Sequence, residues 1–181
     1  AAAAESAYDL ASLAEIFSGG AARPPDQVGK IAGTFPGSAP GIGYGLTETN
    51  ALGAVNAGAP YVARPSSTGR AVPAVTGFKV IDGAGHTVPA GERGELGIKS
   101  TANVRGYWNK PEATREAFVD GWFHTGDVAC LDDEGFLYIV DRIKDIIIRG
   151  GENISCIEVE AALHRHPAVR EAAVFGFFFF F

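Results

Sequence analysis

Thr125-Gly126-Asp127 ends the run Gly121-Trp122-Phe123-His124 with a small residue and then a carboxylate. A carboxylate so placed can accept two hydrogen bonds at once from a vicinal diol, and a ribose offers such a diol. Asp132-Asp133-Glu134-Gly135 reads as a turn, and the apolar run from Phe136 to Val140 reads as a buried strand from its length and β-branching. Antiparallel pairing across that turn would return the chain beside Asp127. Arg142 would then reach the same pocket, where its fork of donors suits ribose or phosphate oxygens. Taken alone, these residues read more simply as a surface hairpin with an ordinary acid and arginine at its ends.

A second chemical block is Gly41-Ile42-Gly43-Tyr44-Gly45-Leu46-Thr47-Glu48-Thr49-Asn50. Alternate glycines let a backbone approach a ligand closely, Thr47 can donate to it, and Glu48 can hold a hard cation such as Mg2+ against phosphate. The alternative is a glycine-rich bend that closes a strand. Ser18-Gly19-Gly20-Ala21-Ala22 follows the apolar run Leu13 to Phe17, and its missing side chains would let a flat ring lie on the backbone. By itself that segment is a loop.

The elements that must position these groups are readable in outline. Pro24-Pro25-Asp26 opens a helix running to about Phe35, because proline is tolerated in a first turn and an acid favours its positive end. Pro60 to Pro73 reads as a loop. Phe78 to Ile81 and Glu95 to Lys99 read as hairpin strands around Asp82-Gly83-Ala84-Gly85 and Pro89-Ala90-Gly91. Pro111 to Phe118 reads as a short helix, Ile146 to Ile148 as a strand, Ile157 to His166 as a helix and Arg170 to Phe175 as a further strand.

In order along the chain, Gly19-Gly20-Ala21, Tyr44-Gly45-Leu46-Thr47-Glu48-Thr49, Ser67-Thr68-Gly69-Arg70-Ala71-Val72-Pro73, Gly94-Glu95-Leu96, Val104-Arg105-Gly106-Tyr107-Trp108, Gly121 to Asp127, Asp141-Arg142-Ile143-Lys144-Asp145 and Gly150-Gly151-Glu152-Asn153 form successive motifs. Together they resemble those of the AMP-forming adenylating enzymes, and within that superfamily the acyl-CoA synthetases of fatty-acid CoA ligase type. The resemblance implies an α/β fold with a β-barrel-like part. Residues 1–141 would be the C-terminal part of a large AMP-binding domain, and 142–181 the hinge and the start of a small α+β domain. It implies ATP, Mg2+ and CoA as substrates and ion, a small-molecule carboxylate as partner, and a cytoplasmic setting.

Carried over by position, the resemblance gives Gly20 and Ala21 to the adenine site, with Tyr44 packing on the ring and Gly43 and Gly45 leaving room. Thr47 would bond the α-phosphate and Glu48 would bind Mg2+. Asp127 would hold the ribose hydroxyls, Ile139 would pack on the sugar, and Arg142 would reach ribose or phosphate. Lys144 falls at the family's hinge, Gly150 and Gly151 would approach pantetheine after a domain swing, and Asn153 would contact nucleotide. The family's Ser/Thr/Gly-rich phosphate loop ending in Pro-Lys-Gly is absent from Ala1 to Leu10, and its distal lysine would fall beyond Gly176. The expectation is a fragment inactive alone. The alternatives are an amino-acid-activating adenylation domain and a non-catalytic nucleotide-binding remnant.

Composition narrows the classes. The chain has 181 residues, 46% of them hydrophobic and 20% charged, enough for one sizeable core and unlike a disordered chain. A formal net charge of -6 argues against nucleic acid as the main partner. Cys130 and Cys156 have no metal-ligand or redox spacing, so they read as structural thiols. No stretch has the length of a transmembrane helix, and the phenylalanine run from Phe177 to Phe181 is too short for one. Exposed, it would form an apolar patch that promotes self-association.

Overall fold

The computed structural model of the protein describes residues 9–21 and 23–177. Most of the phenylalanine tail, residues 178–181, lies outside them, as do Ala22 and the first eight residues.

The chain opens with strand β1 (Glu15–Gly19), helix α1 (Pro25–Thr34) and strand β2 (Ala39–Tyr44), with β1 and β2 parallel. Such pairing demands a crossover, and α1 supplies it. Pro25 sits in its first turn with Asp26, whose carboxylate accepts from Lys30 one turn later, and Val28 faces inward against Ile42 and Tyr61. Strand β3 (Ala54–Ala57) pairs antiparallel with β2, and β4 (Arg70–Ala71) with β3, completing a four-stranded sheet. Between them lies helix α2 (Gly58–Ala63), which overlaps the start of the segment Pro60 to Pro73 expected to be a loop. Its Tyr61 is fully buried, so tertiary packing holds a six-residue helix that has no side-chain cap.

The second layer is a curled half-barrel. Strand β5 (Thr76–Ile81) pairs with β6 (Gly94–Ser100), and after helix α3 (Pro111–Ala117) come β7 (Phe118–Val119), β8 (Trp122–Leu131) and β9 (Leu137–Arg142). The long β8 pairs with β6 along one edge and with β7 and β9 along the other. Ala54 from the first sheet packs with Leu96, Ile98, Ala129 and Leu137 from the second, flanked by Tyr44, Leu46, Phe78, Leu131 and Ile139. The core thus lies between the two sheets. The chain ends in the hairpin β10 (Ile147–Arg149) and β11 (Glu152–Ile154) followed by helix α4 (Cys156–His164). Ser155 caps α4 by accepting the Glu158 N–H at 3.2 Å, as its serine and following glutamate favour. The expected strand over Arg170 to Phe175 does not form. Val174 N–H bonds instead to the Glu160 carboxylate at 2.8 Å.

Candidate functional site

The Asp132 turn does what its sequence requires. Asp132 Oδ1 accepts the N–H groups of Glu134 and Phe136 at 3.0 and 2.8 Å, and Gly135 takes a φ of 77°. The chain returns antiparallel, and Arg142 pairs with Asp127.

Asp127 owes its place to an irregularity in β8. Glu95 pairs with Val128 and Gly97 with His124, so Thr125, Gly126 and Asp127 face the single residue Leu96. The surplus residues bow out of the ladder, as bulges do beside ligand sites, and side chains take over the lost bonds. Thr125 Oγ1 donates to the Leu96 carbonyl at 2.8 Å and accepts the Asp127 N–H at 3.1 Å. Gly126, at a φ of 72°, donates to Glu95 Oε1 at 3.0 Å and its carbonyl accepts the Ile143 N–H at 2.8 Å. Glu95 Oε2 lies 3.1 Å from His124 Nδ1. Glu95 is therefore a brace beneath the acid, a role that only the strand register reveals.

Asp127 and Arg142 converge with Gly20, Ala21, Gly43, Tyr44, Gly45 and Ile139 on one cleft of about 220 Å³ at the C-terminal ends of β1 and β2. Open α/β sheets place ligands at such strand ends. Thr68, Asp141 and Ile157 also line it, and sequence reasoning had assigned none of them. Arg142 Nε lies 3.5 Å from Asp127 Oδ1, and the Tyr44 hydroxyl donates to Asp127 Oδ2 at 2.5 Å. Burial, above all, raises Asp127 above the ordinary carboxylate range, against the opposing pull of the Tyr44 bond and the Arg142 charge. Burial, then the neighbouring Asp127 charge, pushes the Tyr44 phenol far up, so it stays a donor. The expected ring contact of Tyr44 thus comes with a second engagement, since its hydroxyl occupies one oxygen of the candidate diol acceptor.

The glycines have intramolecular reasons as well. A side chain on Gly41 would collide with the Phe17 ring of β1, one on Gly43 would approach Phe17 Cε1 to 3.0 Å, and one on Gly45 would strike the Ala51 backbone. Gly43 and Gly45 also line the cleft, whereas Gly41 does not.

Thr47 and Glu48 lie on a 3-10 turn, Thr47–Thr49, that continues from the lining residue Leu46 without joining the lining themselves. Buried Thr49 braces the turn, its hydroxyl accepting the Leu46 N–H and donating to the Leu46 carbonyl, each at 3.1 Å. Glu48 Oε1 accepts the Tyr107 hydroxyl at 2.8 Å. Among the described residues no group of three or more His, Cys, Asp or Glu side chains could hold a metal. A lone carboxylate fits Mg2+, which takes one or two protein oxygens and completes its octahedron with phosphates and water.

Lys144 lines an adjoining cavity of about 1170 Å³ that shares Gly20, Asp141 and Arg142 with the cleft. Gly150 and Gly151 form the exposed tip of the β10–β11 hairpin, Asn153 is exposed on β11 opposite Ile148, and none of the three joins the cleft lining.

Residues 1–108 match the family model of the AMP-binding enzymes. The chain belongs to that family of adenylate-forming enzymes, and its relatives include CoA ligases. It is 40% identical over 168 residues to a feruloyl-CoA synthase of an Amycolatopsis species, covering 93% of this chain and 34% of that protein. To a long-chain-fatty-acid–CoA ligase of Bacillus subtilis it is 39% identical over 172 residues, covering 93% of this chain and 30% of that protein. Among solved structures, the o-succinylbenzoate coenzyme A synthetase of Bacillus subtilis in complex with ATP and magnesium ion superposes with a TM-score of 0.84 at 33% identity, over 97% of this chain and 36% of that one. The chain spans about a third of the length of these relatives. No helix among the described residues is long and apolar enough to cross a membrane.

Proposed function

We propose that this chain carries the nucleoside wall of an ATP-dependent acyl-CoA ligase. The observation that carries the reading is the convergence of Asp127, Arg142 and Tyr44 with the side-chain-poor Gly20, Ala21 and Gly43 in one cleft. Asp127 offers two oxygens to the ribose diol once Tyr44 yields one of them, and Arg142 adds a cationic donor at the rim. The ring of Tyr44 and the bare backbone at Gly20 and Ala21 suit the faces of adenine. Thr47 donates to the α-phosphate. Bound at Glu48, Mg2+ supplies charge neutralisation on the phosphates. The substrate carboxylate attacks the α-phosphorus, pyrophosphate leaves, and the acyl-adenylate then passes its acyl group to the thiol of CoA, releasing AMP.

The boundary at 141/142 and the hinge at Lys144 belong to the same reading. The end of strand β9 at Arg142, one residue past that position, supports a boundary close by, and the exposed Gly150–Gly151 tip supports a segment that reaches CoA only after rearrangement. A fatty acid and an aromatic acid are both candidate substrates, since a long-chain-fatty-acid–CoA ligase at 39% and a feruloyl-CoA synthase at 40% identity are among the relatives. Alone, the chain is expected to turn nothing over, because it spans only a third of its relatives.

Acyl-dependent exchange of pyrophosphate into ATP by the full-length enzyme tests the reading. Loss of exchange in Asp127→Ala and Thr47→Ala supports it, whereas AMP binding without exchange in the unaltered enzyme would leave a non-catalytic remnant.

A further inference from the structure

Glu48 is gripped from one side by the segment that follows β6. Val104 N–H donates to the Glu48 carbonyl at 2.8 Å, and Asn50, in the left-handed conformation at a φ of 48°, donates from Nδ2 to the Ala102 carbonyl at 2.7 Å. The Tyr107 hydroxyl completes the grip on Glu48 Oε1. Glu48 Oε2 takes no hydrogen bond among the described residues.

Tyr107 is itself fixed from the far side. Its N–H donates to Thr114 Oγ1 at 2.9 Å, and that hydroxyl donates onward to the Lys110 carbonyl at 2.9 Å. Its ring meets Phe118 edge to face, with centroids 6.2 Å apart. Gly106, at a φ of 149°, lies so close to the Thr114 side chain that any Cβ there would collide with it. The Val104 to Trp108 motif thus acquires a physical role: it ends in a phenol held at a set place.

We propose that Tyr107 is a positioning residue for the divalent cation: its hydroxyl holds Glu48 Oε1 and leaves Oε2 as the oxygen offered to the metal. The inference rests on the reading of Glu48 as the Mg2+ ligand. A glutamate loses rotamer freedom when it ligates, and fixing it beforehand lowers that cost. Partners that hydrogen-bond a ligating carboxylate tune affinity in the same manner.

The test measures Mn2+ binding in the presence of ATP by water-proton relaxation in the full-length enzyme, alongside metal-free AMP binding. Tyr107→Phe keeps the ring and removes only the hydroxyl. It is expected to weaken Mn2+ by about tenfold and to leave AMP affinity and the thermal midpoint in place, a separation that a purely structural role would not produce. Unchanged Mn2+ affinity in Tyr107→Phe together with loss in Glu48→Gln overturns the role of Tyr107 and spares that of Glu48. Unchanged affinity in both removes Glu48 as ligand and this inference with it. Should Tyr107→Phe fail to fold, Thr114→Ala reads the same device through its anchor: a smaller loss of Mn2+ affinity supports it, and none overturns it.

Discussion

The chain is built differently on the two sides of Arg142. Before it, the Thr125 to Asp127 bulge has its backbone bonds and carboxylate tied into a half-barrel that shares a core with a second sheet. After it come a hairpin of two three-residue strands and one helix, with Ile148 72% and Phe175 74% exposed. A lone two-stranded hairpin is marginal in water. The second region is held to the first chiefly by polar contacts at the joint. Asp141 Oδ2 accepts the Cys156 N–H at 2.6 Å, Asp141 Oδ1 accepts the Arg142 N–H at 2.8 Å, and Ser155 Oγ donates to the Val140 carbonyl at 2.9 Å. Preorganisation is therefore concentrated before Arg142, at the wall that would meet the nucleoside and at Glu48. The neighbouring region is attached through a few directed bonds.

The largest expected effect comes from severing that joint. Asp141→Ala removes a buried acceptor of two N–H groups and should cost about 3 kcal/mol of local stability. Hydrogen exchange should show lost protection in α4 and the β10–β11 hairpin while β6 and β8 keep theirs. Equal loss in both regions would erase the contrast. An intermediate effect is expected at Asp127. Its pKa is raised in the fold, so the stability tied to its protonated form is present at acid pH and lost as pH rises through the folded value. Asp127→Asn should accordingly weaken AMP binding and yet raise the thermal midpoint near pH 7, with the gain shrinking toward acid. A lowered midpoint at pH 7 would show the carboxylate to be a net support. The smallest effect belongs to Tyr44→Phe, which removes the bond that pulls Asp127 downward and should move its titration, followed by carboxylate NMR, further up.

Sequence alone carried the local part of this far. The Asp132 turn, helix α1, strands β5 and β6 and the return of Arg142 to Asp127 all follow from short-range chemistry. Helix α2 was hidden because the burial of Tyr61, a tertiary event, outweighs a proline-rich composition. The strand expected over Arg170 to Phe175 failed because a strand needs a partner edge, which residue pattern does not reveal. The bulge at Thr125 to Asp127, the brace from Glu95 and the grip of Tyr107 on Glu48 are matters of register between distant segments. Asp127 could thus be singled out by type, whereas what holds it in place could not. Gly41 misled in a different way: its missing side chain serves the Phe17 ring next door.

That aromatic ring lying across Gly41 and Gly43 ties two strands into a single volume account. A methyl added at Gly41 can be accommodated only when Phe17 shrinks or shifts, so bulk at Gly41 depends on the residue at position 17. Because Gly43 also faces the cleft, trimming Phe17 offers a way to reshape the ligand chamber from behind, leaving its polar lining untouched.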